Sequence, residues 1–258
     1  MNFINKYFNL SGKVAVLTGA GGLLVGEISK GLASVGVKVA LLDLDIEKTK
    51  IIQNQINAIG GTSIVIKTDV TKKQSFEDAL EIILRDFGRI DILVNGAGAN
   101  SPTPFFEISL DEWNHILNIQ LTGTMLSCQV FGEYMIKNKN GSIINISSTA
   151  ADPPLSKVFT YSVAKAGVKN LSQNLAREWA LNNVRVNILR PGFFPSEFMK
   201  EKMLSPERTE SILQHTPMKR FGNPIELVGA VLWLCSDSAS FVTGAEICVD
   251  GGFASMSI

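Results

Sequence analysis

Long apolar runs, paired cysteines and an excess of either charge are all missing from these 258 residues. No window approaches the roughly 20 consecutive apolar residues that span a bilayer. The opening MNFINKYFNLSGK is too polar for a secretion signal. Residues 1–10 are read as a short tail leading into the first strand, and no membrane is expected as a partner. Lys plus Arg and Asp plus Glu each number 24, so the formal net charge is zero. That leaves no field for nucleic acid or a basic membrane surface. Cysteines number 3 (Cys128, Cys235 and Cys248), far apart and odd in number. They fit neither a disulfide framework nor a metal site, so no metal is expected and a reducing cytoplasm is. Each thiol reads as a small buried apolar side chain.

What is present is an ordinary globular balance, 45% hydrophobic and 19% charged. The chain is long enough for one large core. Apolar runs alternate with helical stretches: KVAVLTG (13–19), VKVALLD (37–43), SIVIKTDV (63–70), IDILVNGAG (90–98), SIINISS (142–148), VRVNILRPG (184–192) and EICVDGG (246–252). The runs are apolar on both faces, as strands covered by helices on both sides are. Two helix starts carry a capping-box pattern, Thr71 to Gln74 and Ser109 to Glu112. Segments 109–138 and 156–183 read as long helices. With no repeat and no long linker, the expectation is an α/β, Rossmann-type, doubly wound parallel sheet in one domain over 1–258. In such sheets ligands bind beyond the carboxyl ends of the strands.

Those strand ends hold the candidate chemistry. After the first comes TGAGGLLVGE, where Gly19, Gly21 and Gly22 let the backbone approach a phosphate at a helix start. The second ends at Asp43, which can accept from both adenosine ribose hydroxyls and repels a 2′-phosphate. Leu44 follows, where an arginine would be needed to hold that phosphate. After the fourth come Asn95, Gly96, Ala97 and Gly98, small enough to admit a ring or ribose. Ser147 and Ser148 follow the fifth. Tyr161 and Lys165 are four apart, on one helix face. A nearby ammonium would lower the tyrosine pKa from about 10 and make Tyr161 a usable acid or base. Ser148 can then hydrogen-bond the reacting oxygen. Taken singly, each feature also fits a turn, a solvated carboxylate or a surface pair.

Together they occur in the order and spacing of a family. Thr18-Gly19, Asp43, Asp69-Val70, Asn95-Gly96-Ala97-Gly98, Ser148, Tyr161 with Lys165, Pro191-Gly192 and Val249-Asp250-Gly251-Gly252 resemble the short-chain dehydrogenase/reductase pattern over nearly the whole chain. The resemblance implies that Ser148 polarises the substrate oxygen, Tyr161 exchanges its proton, and Lys165 holds the nicotinamide ribose. It implies that Asp43 selects NAD, that Asp69 and Val70 border the adenine, and that Asn95, Gly96 and Ala97 line the ribose path. The stretch after Pro191 and Gly192, with Phe194 and Ser196, would cover the nicotinamide carboxamide. Family members usually assemble as homotetramers or homodimers.

Two positions depart from the pattern. Leu23 and Val25 stand where the family has glycines, with Gly26 one place late and no change in length. A variant loop is expected, with the Leu24 amide still reaching the pyrophosphate. Gln120 falls where a catalytic Asn usually anchors a water beside the lysine, so the proton relay is expected to shift. Asn118, two residues away, faces elsewhere on the helix.

The substrate pocket is expected to draw on Asn100, Ser101, Pro153, Leu155, Phe194, Phe198 and Met199. Lys157, four before Tyr161, reads as a surface lysine or a contact for a substrate carboxylate. His215 reads as structural and His115 as packing. PGFFPSE and HTPMKRFGNP resemble gluconate 5-dehydrogenase-like and D-mannonate oxidoreductase-like members, though similar segments occur in 3-oxoacyl carrier-protein reductases. The function expected is NAD-dependent oxidation or reduction of a sugar, polyol or sugar acid. A 3-oxoacyl-type or general carbonyl reductase and a non-catalytic cofactor-binding scaffold are the alternatives.

Overall fold

All seven apolar runs form strands of one parallel sheet, ordered β3-β2-β1-β4-β5-β6-β7. The computed structural model describes residues 2–152, 155–196 and 204–256. The strands are β1 (Val14–Thr18), β2 (Lys38–Asp43), β3 (Ser63–Lys67), β4 (Ile92–Asn95), β5 (Gly141–Ile146), β6 (Val184–Pro191) and β7 (Glu246–Val249). Most stop short of the sequence-read runs at their carboxyl ends. The residues left over, such as Gly96–Gly98 and Ser147–Ser148, form loops instead of ladder. Those loops are where a site can be built.

The pleat explains why both faces of β1 are apolar. Ala15 and Leu17 enter a core cluster with Val25, Ile28 and Leu32 of α2 (Leu23–Ser34). Val14 and Val16 enter the opposite cluster, with Phe76 and Ile83 of α4 (Lys73–Phe87) and Phe131 of α6 (Gly123–Lys137). The spacing 25, 28, 32 and 76, 79, 83 puts one stripe of each helix on the sheet. Burying a Leu, Ile or Phe side chain contributes roughly 1.5–3 kcal/mol, so this two-sided core dominates stability. The other helices are α1 (Phe3–Tyr7), α3 (Ile46–Ala58), α5 (Leu110–Leu117), α7 (Phe159–Trp179), α8 (Pro206–His215) and α9 (Val228–Cys235). Among the described residues, no helix is long and apolar enough to cross a membrane.

Some local expectations need correction. The first ten residues include a helical turn, α1, whose Asn5 amide donates to Asn2 Oδ1 at 2.9 Å. Thr71 does not cap α4. Its N–H and O–H both go to Asp69 Oδ1, and the helix starts at Lys73. Ser109 does cap α5, accepting from Glu112 N at 3.1 Å, but Glu112 accepts from Thr103 Oγ1 instead of completing a box. Cys128 and Cys235 are buried, whereas Cys248 on edge strand β7 is exposed. His115 is exposed on α5, not packed.

Sequence order reverses at β1, which lies between β2 and β4. A crevice opens at such a switch point.

Candidate active site

Thr18 ties the two sides of that crevice together. Its Oγ1 accepts from Gly96 N at 3.1 Å and Ala97 N at 3.3 Å, linking the loop after β1 to the loop after β4. Gly19 has φ +75°, and a β-carbon there would lie 2.7 Å from Ala97 Cα. Only glycine combines that backbone conformation with that approach.

The variant loop still opens a helix at the right place. Gly22 N donates to Gly19 O at 3.0 Å, and the first intrahelical bond runs from Gly26 N to Gly22 O. The amides of Leu23, Leu24 and Val25 therefore stand at the open helix end. Leu23 is half exposed, Leu24 packs against the core, and Val25 is buried over Gly96. Gly21 plays a part other than the expected one. Its amide donates to Asp43 Oδ2 at 2.9 Å and so faces the carboxylate, while Asp43 Oδ1 accepts from Asp45 N at 2.9 Å. Each carboxylate oxygen keeps a second acceptor direction for a ribose hydroxyl. Leu44 is exposed and brings no cation, and nearby Lys48 is paired with Asp45 at 2.8 Å. Asp69 is locked by Thr71 and by Lys72 at 3.2 Å. The Thr71 hydroxyl bond, ahead of other causes, holds its carboxyl below the usual range. Val70 packs on Gly123 at the start of α6.

Ser148 and Tyr161 come together at the ends of β5 and α7. Ser148 Oγ accepts from Ala150 N at 3.1 Å, fixing its rotamer. Burial raises the Tyr161 phenol above its ordinary 10, and a hydrogen bond with Ser148 acts in the opposite direction. Lys165 is buried, with Nζ donating to Ile146 O at 2.7 Å and lying 5.6 Å from the Tyr161 ring centroid. Burial pushes its pKa down to about 8. The expected depression of the tyrosine by the lysine is therefore not found in the protein alone. The ammonium passes the ring to reach a carbonyl, and desolvation governs both groups.

Gln120 also departs from expectation. It lies in a π-helical turn, Asn118–Thr122, between α5 and α6. Its Nε2 donates to Ala99 O at 2.7 Å and its backbone oxygen accepts from Thr124 Oγ1 at 2.7 Å. The side chain thus grips the loop after β4 rather than the lysine. Asn118 is exposed. The Asn95 side chain is not on the ribose path. It is buried, donating to Asn145 Oδ1 at 2.9 Å, and Asn145 in turn donates to Ser172. Only the backbone that follows it faces the crevice.

The remaining predicted residues scatter. Gly192 N donates to Val249 O at 2.9 Å, so Pro191 and Gly192 are pinned to the end of β7. The Phe194 ring packs on Gly222 and lines a separate cavity of about 400 Å³ with Arg220, Glu226 and Cys248. That is a correction: its side chain is committed to this loop. Ser196 is half-buried. Asn100 is exposed, its Oδ1 accepting from Ser101 N, and Lys157 is exposed with φ +65°. Pro153, Phe198 and Met199 lie outside the described residues.

Two features escaped the sequence. Asp152, Lys169, Arg190 and Glu246 form one ion-pair cluster joining the loop after β5 to α7, β6 and β7. A cavity of about 520 Å³ lies between α8 and Leu155–Ser156, with His215 and Arg208 in its wall. Neither has a local signature, because its members are scattered along the chain.

Comparison with known proteins fits this geometry. A family model described as enoyl-(acyl carrier protein) reductase matches residues 25–254. An uncharacterised oxidoreductase of Bacillus subtilis (strain 168) is 38% identical, covering 95% of this chain and 96% of its own. A D-threitol dehydrogenase of Mycolicibacterium smegmatis is 35% identical, covering 95% and 94%. Among solved structures, a provisionally named D-mannonate oxidoreductase from Haemophilus influenza, with bound NAD, superposes with a TM-score of 0.91 at 36% identity, covering 96% and 97%. A gluconate 5-dehydrogenase from Burkholderia cenocepacia, in complex with NADP and tartrate, gives 0.91 at 28% identity, covering 97% and 98%.

Proposed function

Because the chain belongs to the short-chain dehydrogenase/reductase family, whose members act on CH–OH groups with a nicotinamide cofactor, we propose that it uses NAD(H) to interconvert a secondary alcohol and ketone on a sugar, polyol or sugar acid. The observation that carries the NAD reading is Asp43: a carboxylate oriented by the Gly21 and Asp45 amides, followed by exposed Leu44 where a 2′-phosphate would need a cation, with Lys48 paired to Asp45. The crevice residues fit a dinucleotide, with open amides at the start of α2 and side-chain-free backbone at Gly96. The nicotinamide, when bound, supplies or accepts the hydride.

This chain's own residues handle the proton and the geometry. Ser148, held by Ala150 N, orients the substrate oxygen. Tyr161 gives that oxygen its proton in reduction and takes it back in oxidation. Lys165, held by Ile146 O, places a cation under the same site and can reach a ribose hydroxyl. The relatives named for threitol, mannonate and gluconate support a carbohydrate-like substrate.

A second reading, an NADPH-dependent carbonyl reductase, is favoured by the description of the matching family model and by the NADP in the gluconate 5-dehydrogenase structure. The joint presence of Ser148, Tyr161 and Lys165 weighs against a non-catalytic scaffold. Self-association is part of the proposal. It is supported by exposed Phe105, Phe106, Leu110, Phe159 and Val163, with Phe105 5.3 Å from Phe159. Fluorescence titration with NADH and, separately, NADPH tests the cofactor. NADH binding alone supports the first reading, and NADPH preference supports the second. A panel of polyols and sugar acids follows, with light scattering for the assembly.

A further inference from the structure

The cavity between α8 and Leu155–Ser156 has a charge balance that selects its ligand. Its polar wall is Arg208, Ser211, Gln214 and His215, and the rings of Phe193 and Phe253 are among its apolar residues. No aspartate or glutamate is among its described lining residues. Glu210, one turn away on the same helix, accepts from Gln214 Nε2 at 3.0 Å and is not part of the wall. The volume, about 520 Å³, is that of a small-molecule site.

Arg208 is held in place. Its Nη1 donates to Ser156 Oγ at 2.9 Å and its Nη2 to Ser156 O at 3.3 Å. A guanidinium has five N–H donors in a rigid fork, so three remain. A carboxylate is the group that such a fork matches. Position also favours substrate. Ser156 precedes Tyr161 by five residues, so at most about 18 Å of chain separates them. Phe193 immediately follows Gly192, which is pinned to the carboxyl end of β7. The cavity wall is therefore built from the segments that flank the catalytic strand ends.

We propose that Arg208 binds the carboxylate of the substrate and makes this chain selective for aldonic acids over uncharged polyols. This rests on the reading of the protein as a sugar-type oxidoreductase. It also moves the anion contact from Lys157, which is exposed and outside the cavity wall, to Arg208.

The test compares D-gluconate and D-mannonate with the matching hexitols, using the full-length protein and its R208Q and R208K variants. Wild type is expected to prefer the aldonates. Arg208→Gln should raise their KM about 10- to 100-fold, the loss of a charge-assisted bond, and leave hexitol KM unchanged. Arg208→Lys should recover part of the loss. Equal use of both classes by wild type overturns the inference while leaving the oxidoreductase reading intact. An equal KM increase for both classes in R208Q also overturns it, since that marks a structural role for the Ser156 contact. If nothing on the panel is turned over, the oxidoreductase reading on sugars fails. Calorimetric titration of D-gluconate into the protein then decides Arg208 separately: binding lost in R208Q upholds its role, and no binding to wild type overturns it.

Discussion

Val25 and Gly96 share one volume. A β-carbon on Gly96 would lie 2.4 Å from Val25 Cγ2 and 2.9 Å from Ile146 Cδ1. Val25, at a position where the family has glycine, thus packs on a residue that has no side chain, and the loop still closes. Gly96→Ala is expected to cost about 2 kcal/mol, the range of an overpacked core site. Val25→Ala frees the space, so the double variant should lose roughly 1 kcal/mol less than the sum. Urea unfolding of the four proteins measures this. Strict additivity would mean that the two side-chain positions do not compete.

Tyr161→Phe removes the hydroxyl that meets Ser148 and little volume. Turnover should fall by about 10²- to 10⁴-fold, the usual worth of a positioned acid or base, with NADH affinity within about twofold. Initial rates beside fluorescence titration report both numbers. Turnover near the parent rate would remove Tyr161 from the chemistry.

On the proposed NAD reading, Asp43→Ala should lower discrimination against NADP and weaken NAD binding, because the carboxylate would accept from the ribose and holds the Gly21 amide at 2.9 Å. A loss of roughly 1.5–3 kcal/mol in NAD binding fits charge-assisted hydrogen bonds. If the NAD to NADP ratio is unchanged, another group reads the 2′ position.

Which of these features could be read from the sequence follows from how local their causes are. The strands were legible because each is a short apolar run set off by turn residues, and Ser148, Tyr161 and Lys165 because their spacing is fixed within one strand end and one helix. Side-chain destinations were not legible. Asn95 and Gln120 carry the same amide, yet one bonds Asn145 in the core and the other bonds Ala99 O across the crevice. Lys165 lies 5.6 Å from the Tyr161 ring centroid, on the shared helix face that the spacing predicts, yet its Nζ bonds Ile146 O, because a buried ammonium needs an acceptor. The Asp152–Lys169–Arg190–Glu246 cluster draws on four separate segments and exists only once the sheet is assembled.

The buried lysine gives stability a pH signature. Its folded pKa, about 8, is below the ordinary 10.5. Below pH 8 both states are protonated and the full cost of burying the charge, about 3 kcal/mol, is present. Between pH 8 and 10.5 the unfolded chain binds more protons, so stability rises with pH. Lys165→Met removes this term but leaves Ile146 O without its donor. The variant should be more stable than the parent by about 1–2 kcal/mol at pH 7 after that loss. Its advantage should shrink as pH rises from 8 towards 9.5. Parallel stability curves for the two proteins would show that the charge is not desolvated.

Gln120 separates a relay from a brace. Its backbone oxygen is taken by Thr124 and one Nε2 hydrogen by Ala99 O, each at 2.7 Å, so a side-chain donor and the main-chain acceptor are directed at structure, while the buried Oε1 has no partner among the described residues. Gln120→Asn keeps the amide and shortens the arm, which loses Ala99 and loosens the loop from Gly96 to Asn100. A brace then predicts a higher KM for the cofactor, about 5- to 10-fold for one lost hydrogen bond, with the pH dependence of kcat unchanged. A relay predicts the reverse: cofactor KM constant and the pH profile of kcat displaced. The π-helical turn is what makes the first outcome the expected one, because it brings the Gln120 amide against Gly98, where a β-carbon would lie 2.8 Å from Nε2. Side chain and loop are fitted to each other, and an asparagine there would leave the fit open.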